Sequence, residues 1–472
     1  MNQTIQIDSH VAGLLPSSLA YEHNCFPLRV EDGYLWIAIS NSNDFNIIND
    51  LSFVTGHKIK TIEYPDELIL ENLKRIYPES LKSTKNKFIE FSENSVSEFS
   101  NIELVDKIIS NAIKYHSSDI HFEVYEKKAR VRFRIDGHLR EVLNLNSGKT
   151  SSIVSRIKIM SNLDIAEKRR PQDGKINYSY DYRKIDIRVS TLPTSYGEKI
   201  VLRILDTTTA NLTLQDLGLE EFQFEILKKY INLPYGMILV TGPTGSGKTT
   251  SLYAVLKNIY SESQNILTIE DPIEYNFEGI NQSAAKPEIG FTFANALRTF
   301  LRQDPDIIMV GEIRDSETAE IAVRAALTGH LVLSTLHTND SISAVTRLID
   351  MGIEPYLVAS SVKLVIAQRL VRKLCKCKSK NGSDKSELIK EVSYKKNGCE
   401  ECGFTGYQGR VGLFELFEIT EEVMELITKN APYTTIKRTA LDNGFKSLKD
   451  SGINRINLGV TDYDEVMRET LL

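Results

Sequence analysis

Met237-Ile-Leu-Val-Thr-Gly-Pro-Thr-Gly-Ser-Gly-Lys-Thr-Thr-Ser-Leu252 is the stretch that decides the fold. Met237 to Val240 is an apolar run of the kind that forms a buried strand, and Thr250 to Ile259 has the makings of a helix. Between them, Gly242-Pro243-Thr244-Gly245-Ser246-Gly247-Lys248-Thr249 spells a complete phosphate-binding loop. Its glycines let backbone N–H groups converge on phosphate oxygens. Lys248 offers a point charge to the β- and γ-phosphates, and the Thr249 hydroxyl is placed for Mg²⁺. Thr250 opens the helix, whose N-terminus adds partial positive charge. A chance glycine-rich turn would lack the strand before and the helix after. The expected ligand is a nucleoside triphosphate, ATP, with Mg²⁺.

Working outward, Asn265-Ile-Leu-Thr-Ile269, Asp306-Ile-Ile-Met-Val310 and Leu331-Val-Leu-Ser-Thr335 repeat the buried-strand pattern with helical stretches between. Such alternation predicts an α/β fold, a largely parallel sheet sandwiched by helices. Sheets of this kind gather their chemistry at strand ends, and three segments end there. In Thr268-Ile-Glu270-Asp271-Pro-Ile-Glu274 the acids either orient water or metal or simply cap a turn before Pro272. In Asp306–Asp315 the strand delivers Glu312 to the sheet edge, where an acid can hold Mg²⁺ through water and polarise the attacking water; a solvated loop glutamate is the plainer alternative. In Thr328–Asp340, His330 and His337 can touch a γ-phosphate or serve structure.

Upstream, Ile102, Val105, Ile108, Ile109, Ala112 and Ile113 share one helical face. Ala129-Arg-Val-Arg-Phe-Arg-Ile135 alternates strictly, with Arg130, Arg132 and Arg134 facing away from the core. Asp136-Gly137 is a hairpin turn, and Lys184 to Val189 is a second alternating strand. Nearer the N-terminus, a helix starting at Leu14 with Ser17 or Ser18 as cap, a strand Leu35–Ile39 and a helical stretch Leu68–Ile76 suggest a small α/β module. Residues 79–100 turn polar and aperiodic, a linker.

The chain has 472 residues, enough for several domains, and a net charge of -6. That balance argues against a nucleic-acid-tracking motor. No apolar run reaches membrane-spanning length, and the start lacks a signal peptide's basic and apolar regions, so a cytoplasmic location is expected. Of the five cysteines, Cys25 is expected in a core. Cys375-Lys-Cys377 and Cys399-Glu-Glu-Cys402 are an inventory for a tetrahedral, structural Zn²⁺ site, or for four reduced thiols. The single residue between Cys375 and Cys377 is expected to strain chelation by that pair.

Taken together, these segments resemble the secretion ATPases of type II secretion and type IV pilus assembly (GspE/PilB type). The likeness runs from about residue 100 to the C-terminus. It is carried by Ser118-Asp-Ile-His121, Arg134-Ile-Asp-Gly137, Pro171-Gln-Asp-Gly174, Thr191–Glu198, the phosphate loop, Leu301–Asp306, Gly311–Asp315, Ser334–Asp340, Gln368-Arg-Leu370 and Thr405–Gly412. In that family 262–274 is the Asp box, 306–315 the Walker B region and 328–340 the His box.

The resemblance implies an N-terminal docking domain at 1–78, a linker at 79–100, a PAS-like α+β domain at 101–206 and a RecA-like ATPase domain at 210–370. A zinc-binding four-cysteine segment at 371–412 and a C-terminal helical region at 413–472 would follow. It also implies a homo-hexameric ring, with ATP between the ATPase domain and the preceding β-domain. Arg188 and Arg203 would clamp the phosphates, Glu312 would activate water with Glu270 as second choice, and His337 would sit beside them. Lys175 stands where the family usually has arginine. Expected partners are an inner-membrane platform protein and, through the N-terminal domain, the cytoplasmic domain of a membrane assembly protein; no nucleic acid is expected. The location implied is peripheral, on the cytoplasmic face of the inner membrane. The implied role is a motor that powers pilus or pseudopilus assembly; an ATPase for a DNA-uptake pseudopilus, another DNA-translocating ring, a regulatory subunit without turnover, and a pilus retraction motor are the alternatives. The cysteine segment and longer N-terminal domain weigh against the last.

Overall fold

The computed structural model describes residues 11, 14, 15, 20, 23–40, 47, 48, 51, 52, 55, 57–65, 68, 69, 72, 73, 76, 100–181, 183–205, 212–381 and 393–470. The expected linker at 79–100, apart from Ser100, and the proposed caps Ser17 and Ser18 lie outside them. The chain forms two compact units, one within residues 1–88 and one running through the rest of the chain apart from 181–183.

In the first unit, β1 (Cys25–Glu31), β2 (Tyr34–Ile39) and β3 (Lys58–Glu63) form a three-stranded sheet in that order. Its core includes Phe26, Leu35, Ile37 and Ile39, and Cys25 is buried with them. Burial pushes the Cys25 thiol up to about 12, so it behaves as a small apolar side chain.

The second unit holds two large sheets. The first is six-stranded: β4 (Ser117–Val124), β5 (Lys128–Ile135), β6 (His138–Asn146), β7 (Gln172–Tyr180), β8 (Arg183–Thr194) and β9 (Gly197–Leu205), in the order β6-β5-β4-β9-β8-β7. Helices α1 (Asn101–Lys114) and α2 (Ser147–Met160) pack against this sheet. Ser100 and Glu103 close a capping box at the start of α1. Its apolar face is buried as expected except for Ile102, which is 57% exposed in the first turn. The alternation of β5 is realised residue by residue, with Val131 and Phe133 in the core. Asp136 and Gly137 both take positive φ, which a two-residue hairpin with the native twist requires.

The second sheet is seven-stranded. Its strands β10 (Gly236–Thr241), β11 (Ile266–Glu270), β13 (Ile307–Val310) and β14 (Leu331–Leu336) are buried at every residue, the mark of a sheet covered on both faces. They pair in parallel with one another and with β12 (Asn281–Ala284), and β10 pairs in parallel with β15 (Val362–Leu374). A short antiparallel pair, β16 (Ser379–Asn381) and β17 (Ser393–Lys395), stands apart from it. The last strand, β18 (Tyr407–Glu418), completes the order β12-β11-β13-β14-β10-β15-β18. Helix α3 (Lys248–Ile259) leaves β10 through the phosphate loop. It starts two residues earlier than its apolar pattern suggests, since Lys248 and Thr249 are themselves helical.

The helical C-terminal region expected from residue 413 begins instead at Glu421. Leu413–Glu418 belongs to β18, which pairs antiparallel with β15 at the sheet edge. The reason is burial: the near-continuous run Val411-Gly-Leu-Phe-Glu-Leu-Phe417 is wholly inside, as a covered strand must be and an amphipathic helix cannot. The cysteine segment is therefore an excursion between two paired strands. No helix among the described residues is long and apolar enough to cross a membrane.

Candidate active site

Gly242 has φ +148, and a Cβ there would meet the Gln368 carbonyl oxygen at 2.5 Å. The phosphate loop is thus seated directly on β15, at the Gln368-Arg369-Leu370 segment. Ser251 of α3 donates to Gln368 Oε1 at 2.8 Å and fixes the same seat from the helix side. Arg369, beneath the loop, is buried and donates to the carbonyls of Gln368 (3.0 Å) and Asn339 (2.8 Å). Lys248 folds back onto its own loop, donating to the Gly242 and Pro243 carbonyls at 2.8 and 3.0 Å. Burial pulls its ammonium down to about 8; Glu312 opposes that shift and Arg369 adds to it. The Ser246 hydroxyl is buried with no hydrogen-bond partner among the described residues. A cation held only by dipoles and an unsatisfied hydroxyl make a cradle suited to an anion.

The loop opens into a cleft of about 680 Å³ whose opposite wall is the six-stranded sheet of the same chain. Lys248 and Thr249 line it, with Glu312, Arg314 and His337 from the strand ends and Arg188 and Arg203 from β8 and β9. Five cationic side chains (Arg188, Arg203, Lys248, Arg314, Arg410) and four acids (Glu270, Asp271, Glu274, Glu312) line it, so the formal charges along the lining nearly cancel. Thr249 and Glu312 supply oxygen ligands of the hard type that Mg²⁺ takes, and both line this cleft.

Glu312 is 14% exposed at the side chain. One oxygen lies 2.5 Å from Arg314 Nη2, the other 3.4 Å from His337 Nε2. The contact with Glu312 raises the Arg314 pKa further. Thr335 anchors the bend that presents Glu312, its hydroxyl donating to the Gly311 carbonyl at 2.7 Å. Glu270 lines the same cleft but is only 2% exposed. Its carboxylate accepts from Tyr253 Oη, from Thr268 Oγ1 at 2.7 Å and from Gln282 Nε2 at 3.0 Å. An acid so fully engaged holds the end of β11 in place.

The two arginines of the facing sheet meet the cleft differently. Arg188 reaches across it, donating to the Ile273 carbonyl at 3.1 Å and lying 3.6 Å from Glu274. Arg203 is bound on its own sheet, its Nε 3.1 Å from Asp119 Oδ1. Arg130 and Arg132, one face with them, pair with Glu123 at 2.7 and 2.5 Å, and neither lines the cleft. Lys175 pairs with Asp186 at 2.7 Å and is likewise elsewhere. Of the two histidines, only His337 reaches the cleft; His330 turns its Nδ1 to the Ala325 carbonyl, 3.0 Å away, at a helix end. Sequence reasoning gave no role to Arg410, which lines the cleft from β18. It belongs to Thr405–Gly412, one of the segments that carry the family likeness.

At the far end of β15 and β18 the four cysteine sulfurs gather within 4.8 Å of one another. Sγ separations are 3.7 Å for Cys375–Cys399, 3.9 Å for Cys377–Cys402 and 3.7 Å for Cys399–Cys402. A tetrahedron with Zn–S of about 2.3 Å has edges of about 3.8 Å, so the donor set fits zinc. The single residue between Cys375 and Cys377 does not keep both sulfurs from converging on Cys399 and Cys402. Leu374 is in register with Tyr407, and Cys375 N–H donates to the Gly406 carbonyl at 2.8 Å, so the two arms start together. Burial raises the Cys402 thiol, but backbone N–H groups of Cys399 and Gly406 outweigh it and bring the thiol down to about 7.

Residues 95–468 match the family model described as Type II/IV secretion system protein, and residues 3–83 match the MshEN domain. The Type IV pilus assembly ATPase PilB of Myxococcus xanthus is 42% identical over 493 aligned residues, spanning 98% of this chain and 87% of that protein. Type II secretion system protein E of Pseudomonas aeruginosa is 50% identical over 378 residues, spanning 78% of this chain and 75% of its own. Among solved structures, the pilus retraction motor PilT with bound ADP aligns at TM-score 0.53 and 26% identity, covering 79% of this chain and 97% of that one. The Legionella pneumophila ATPase DotB aligns at TM-score 0.60 and 21% identity over 78% of this chain and 95% of that one, a likeness of fold. With its phosphate loop, strand-end acid and facing arginines in one cleft, the chain belongs to the type II/IV secretion system protein family, and it is an ATPase.

Proposed function

We propose that this ATPase is the motor of a homo-hexameric ring that drives assembly of a pilus or pseudopilus, in type IV pilus biogenesis or type II secretion. The observation that carries the reading is that Arg188 and Arg203 of one sheet and Lys248, Thr249 and Glu312 of the other line a single cleft. Two sheets that share one charged cleft can be drawn together by an anion between them. Loss of the γ-phosphate removes that attraction and lets them part, which is a mechanical stroke. The 42% identity to an assembly ATPase over 98% of the chain supports assembly over retraction.

In this reading Lys248 and the loop N–H groups bind the β- and γ-phosphates, and Thr249 with Glu312 would hold Mg²⁺. That ion, when bound, neutralises charge developing on the phosphates. Glu312 takes the proton of the attacking water, with His337 beside it. Arg203 offers its guanidinium to the γ-phosphate, and Arg188 exchanges Glu274 for it. Cys375, Cys377, Cys399 and Cys402 would hold a structural Zn²⁺; four thiolates leave no open position for catalysis. The expected partners are an inner-membrane platform protein and, at the N-terminal unit, the cytoplasmic part of a membrane assembly protein. They would place the ring peripherally on the inner membrane.

The test is the mass of the purified chain with a non-hydrolysable ATP analogue, alongside steady-state turnover. A six-fold assembly with turnover lost in Lys248→Ala is the expected result. A chain that stays monomeric while hydrolysing ATP at full rate would sink the ring. Turnover stimulated by DNA would favour the translocating alternative.

A further inference from the structure

We propose that Asp119 is a positioning residue of the phosphate site, acting by holding Arg203 with its terminal nitrogens free toward the cleft. The inference rests on the reading of Arg203 as a phosphate clamp and names what makes that clamp ready.

Asp119 is 6% exposed, on β4. Across the antiparallel ladder it faces Arg134 of β5 on one side and Arg203 of β9 on the other, and Arg203 in turn faces Arg188 of β8. Residues directly opposite project from the same face with Cβ atoms about 5 Å apart. One rung therefore carries three guanidinium groups and a single carboxylate. Like charges side by side destabilise a sheet, so each arginine must be drawn to an anion or a carbonyl. Arg134 donates to the Gly137 carbonyl at 2.9 Å and lies 3.3 Å from Asp119 Oδ2. Arg188 spends its terminal nitrogens on Ile273 and Glu274 across the cleft.

Arg203 is held otherwise. It donates through Nε to Asp119 Oδ1 at 3.1 Å, and its side chain is 62% exposed. Its two terminal nitrogens make no hydrogen bond among the described residues. Arginine has five N–H donors in a rigid plane. Anchoring the Nε edge fixes that plane and leaves the outer edge for a bidentate grip on an anion. Asp119 is itself fixed, its Oδ2 accepting from Ser118 Oγ at 2.9 Å. Asp119 thus fixes Arg203 before the nucleotide arrives, and the ordering entropy of a long side chain is not lost at binding.

A double-mutant cycle tests this, using steady-state ATP turnover of the full chain. Asp119→Asn keeps the shape and removes the charge. It should lower kcat/KM roughly tenfold to hundredfold, the worth of one charge-assisted hydrogen bond. Arg203→Gln should lower it at least as far, and the double variant should be no worse than Arg203→Gln alone. Arg134→Gln removes the carboxylate's other partner and should leave turnover within roughly twofold. If the Asn substitution costs the same factor in both backgrounds, Asp119 does not act through Arg203 and the proposal is overturned. If Arg203→Gln turns over like the native chain, the clamp reading itself has failed. Should Asp119→Asn unfold at the assay temperature, Asp119→Glu, which keeps the charge but moves it by one methylene, replaces it under the same criteria.

Discussion

Glu312 Oε2 stands 3.4 Å from His337 Nε2 at the mouth of the phosphate loop, while the second oxygen of Glu312 is tied to Arg314. Two strand ends that are neighbours in the sheet, β13 and β14, bring these side chains together. The carboxylate is held in place by Arg314 and His337 and still lines the cleft.

Replacing Glu312 by Gln keeps size and removes the proposed base. Turnover should fall by roughly 10²–10⁴-fold, the range for a general base. Affinity for a fluorescent ATP analogue should stay within a few-fold, because Lys248 and the loop carry binding. Full turnover in this variant would refute the assignment.

The depressed ammonium of Lys248 makes nucleotide affinity depend on pH. Its pKa of about 8 lies below the ordinary lysine value because it is buried, despite Glu312. Phosphate favours the charged form, so the pKa rises on binding, and above about pH 8 binding must take up a proton. Affinity should be constant below pH 8 and weaken by up to tenfold per unit above it. Without nucleotide the sign for stability is opposite: the unfolded chain holds this proton more tightly, so the penalty is full below pH 8 and fades toward 10.5. Dissociation constants at about pH 7, 8 and 9 check the first claim. A flat profile would count against it.

Gly242 and Gly245 should respond differently to alanine. At Gly242 the new Cβ meets a backbone oxygen at 2.5 Å, and something must shift; at Gly245 nothing lies within 4 Å, and only the positive φ of +83 is strained. Gly245→Ala should cost about 1 kcal/mol of stability, and Gly242→Ala distinctly more, with loss of nucleotide binding as the loop leaves its seat on Gln368. Urea unfolding of the two variants side by side is the measurement.

Removing one sulfur should release the metal. Cys377→Ser is expected to reduce bound zinc from one equivalent per chain to a small fraction, read by atomic emission, and a strong chelator should lower the melting temperature of the native chain but not of this variant. Native chain purified without zinc and insensitive to chelator would leave the cysteines as plain thiols.

The phosphate loop, its flanking strand and helix, the buried strands and the alternation of Ala129–Ile135 were all determined by the sequence itself, because each depends on residues that are neighbours along the chain. Tertiary structure decided what depends on distant neighbours. Glu270 and Glu312 both lie at strand ends and line the cleft; only the approach of Tyr253 and Gln282 buries the first among hydrogen-bond donors, while Arg314 and His337 meet the second. Arg130, Arg132, Arg188 and Arg203 all point off a sheet face; the strand order places β8 and β9 at the phosphate loop and gives the other two to Glu123. The pairing of β15 with β18 starts the two cysteine-bearing arms side by side, makes Leu413–Glu418 a strand and carries Arg410 to the cleft. A periodic pattern records which face a side chain takes, but charge partners, register and burial on both faces are set by chain segments tens to hundreds of residues away.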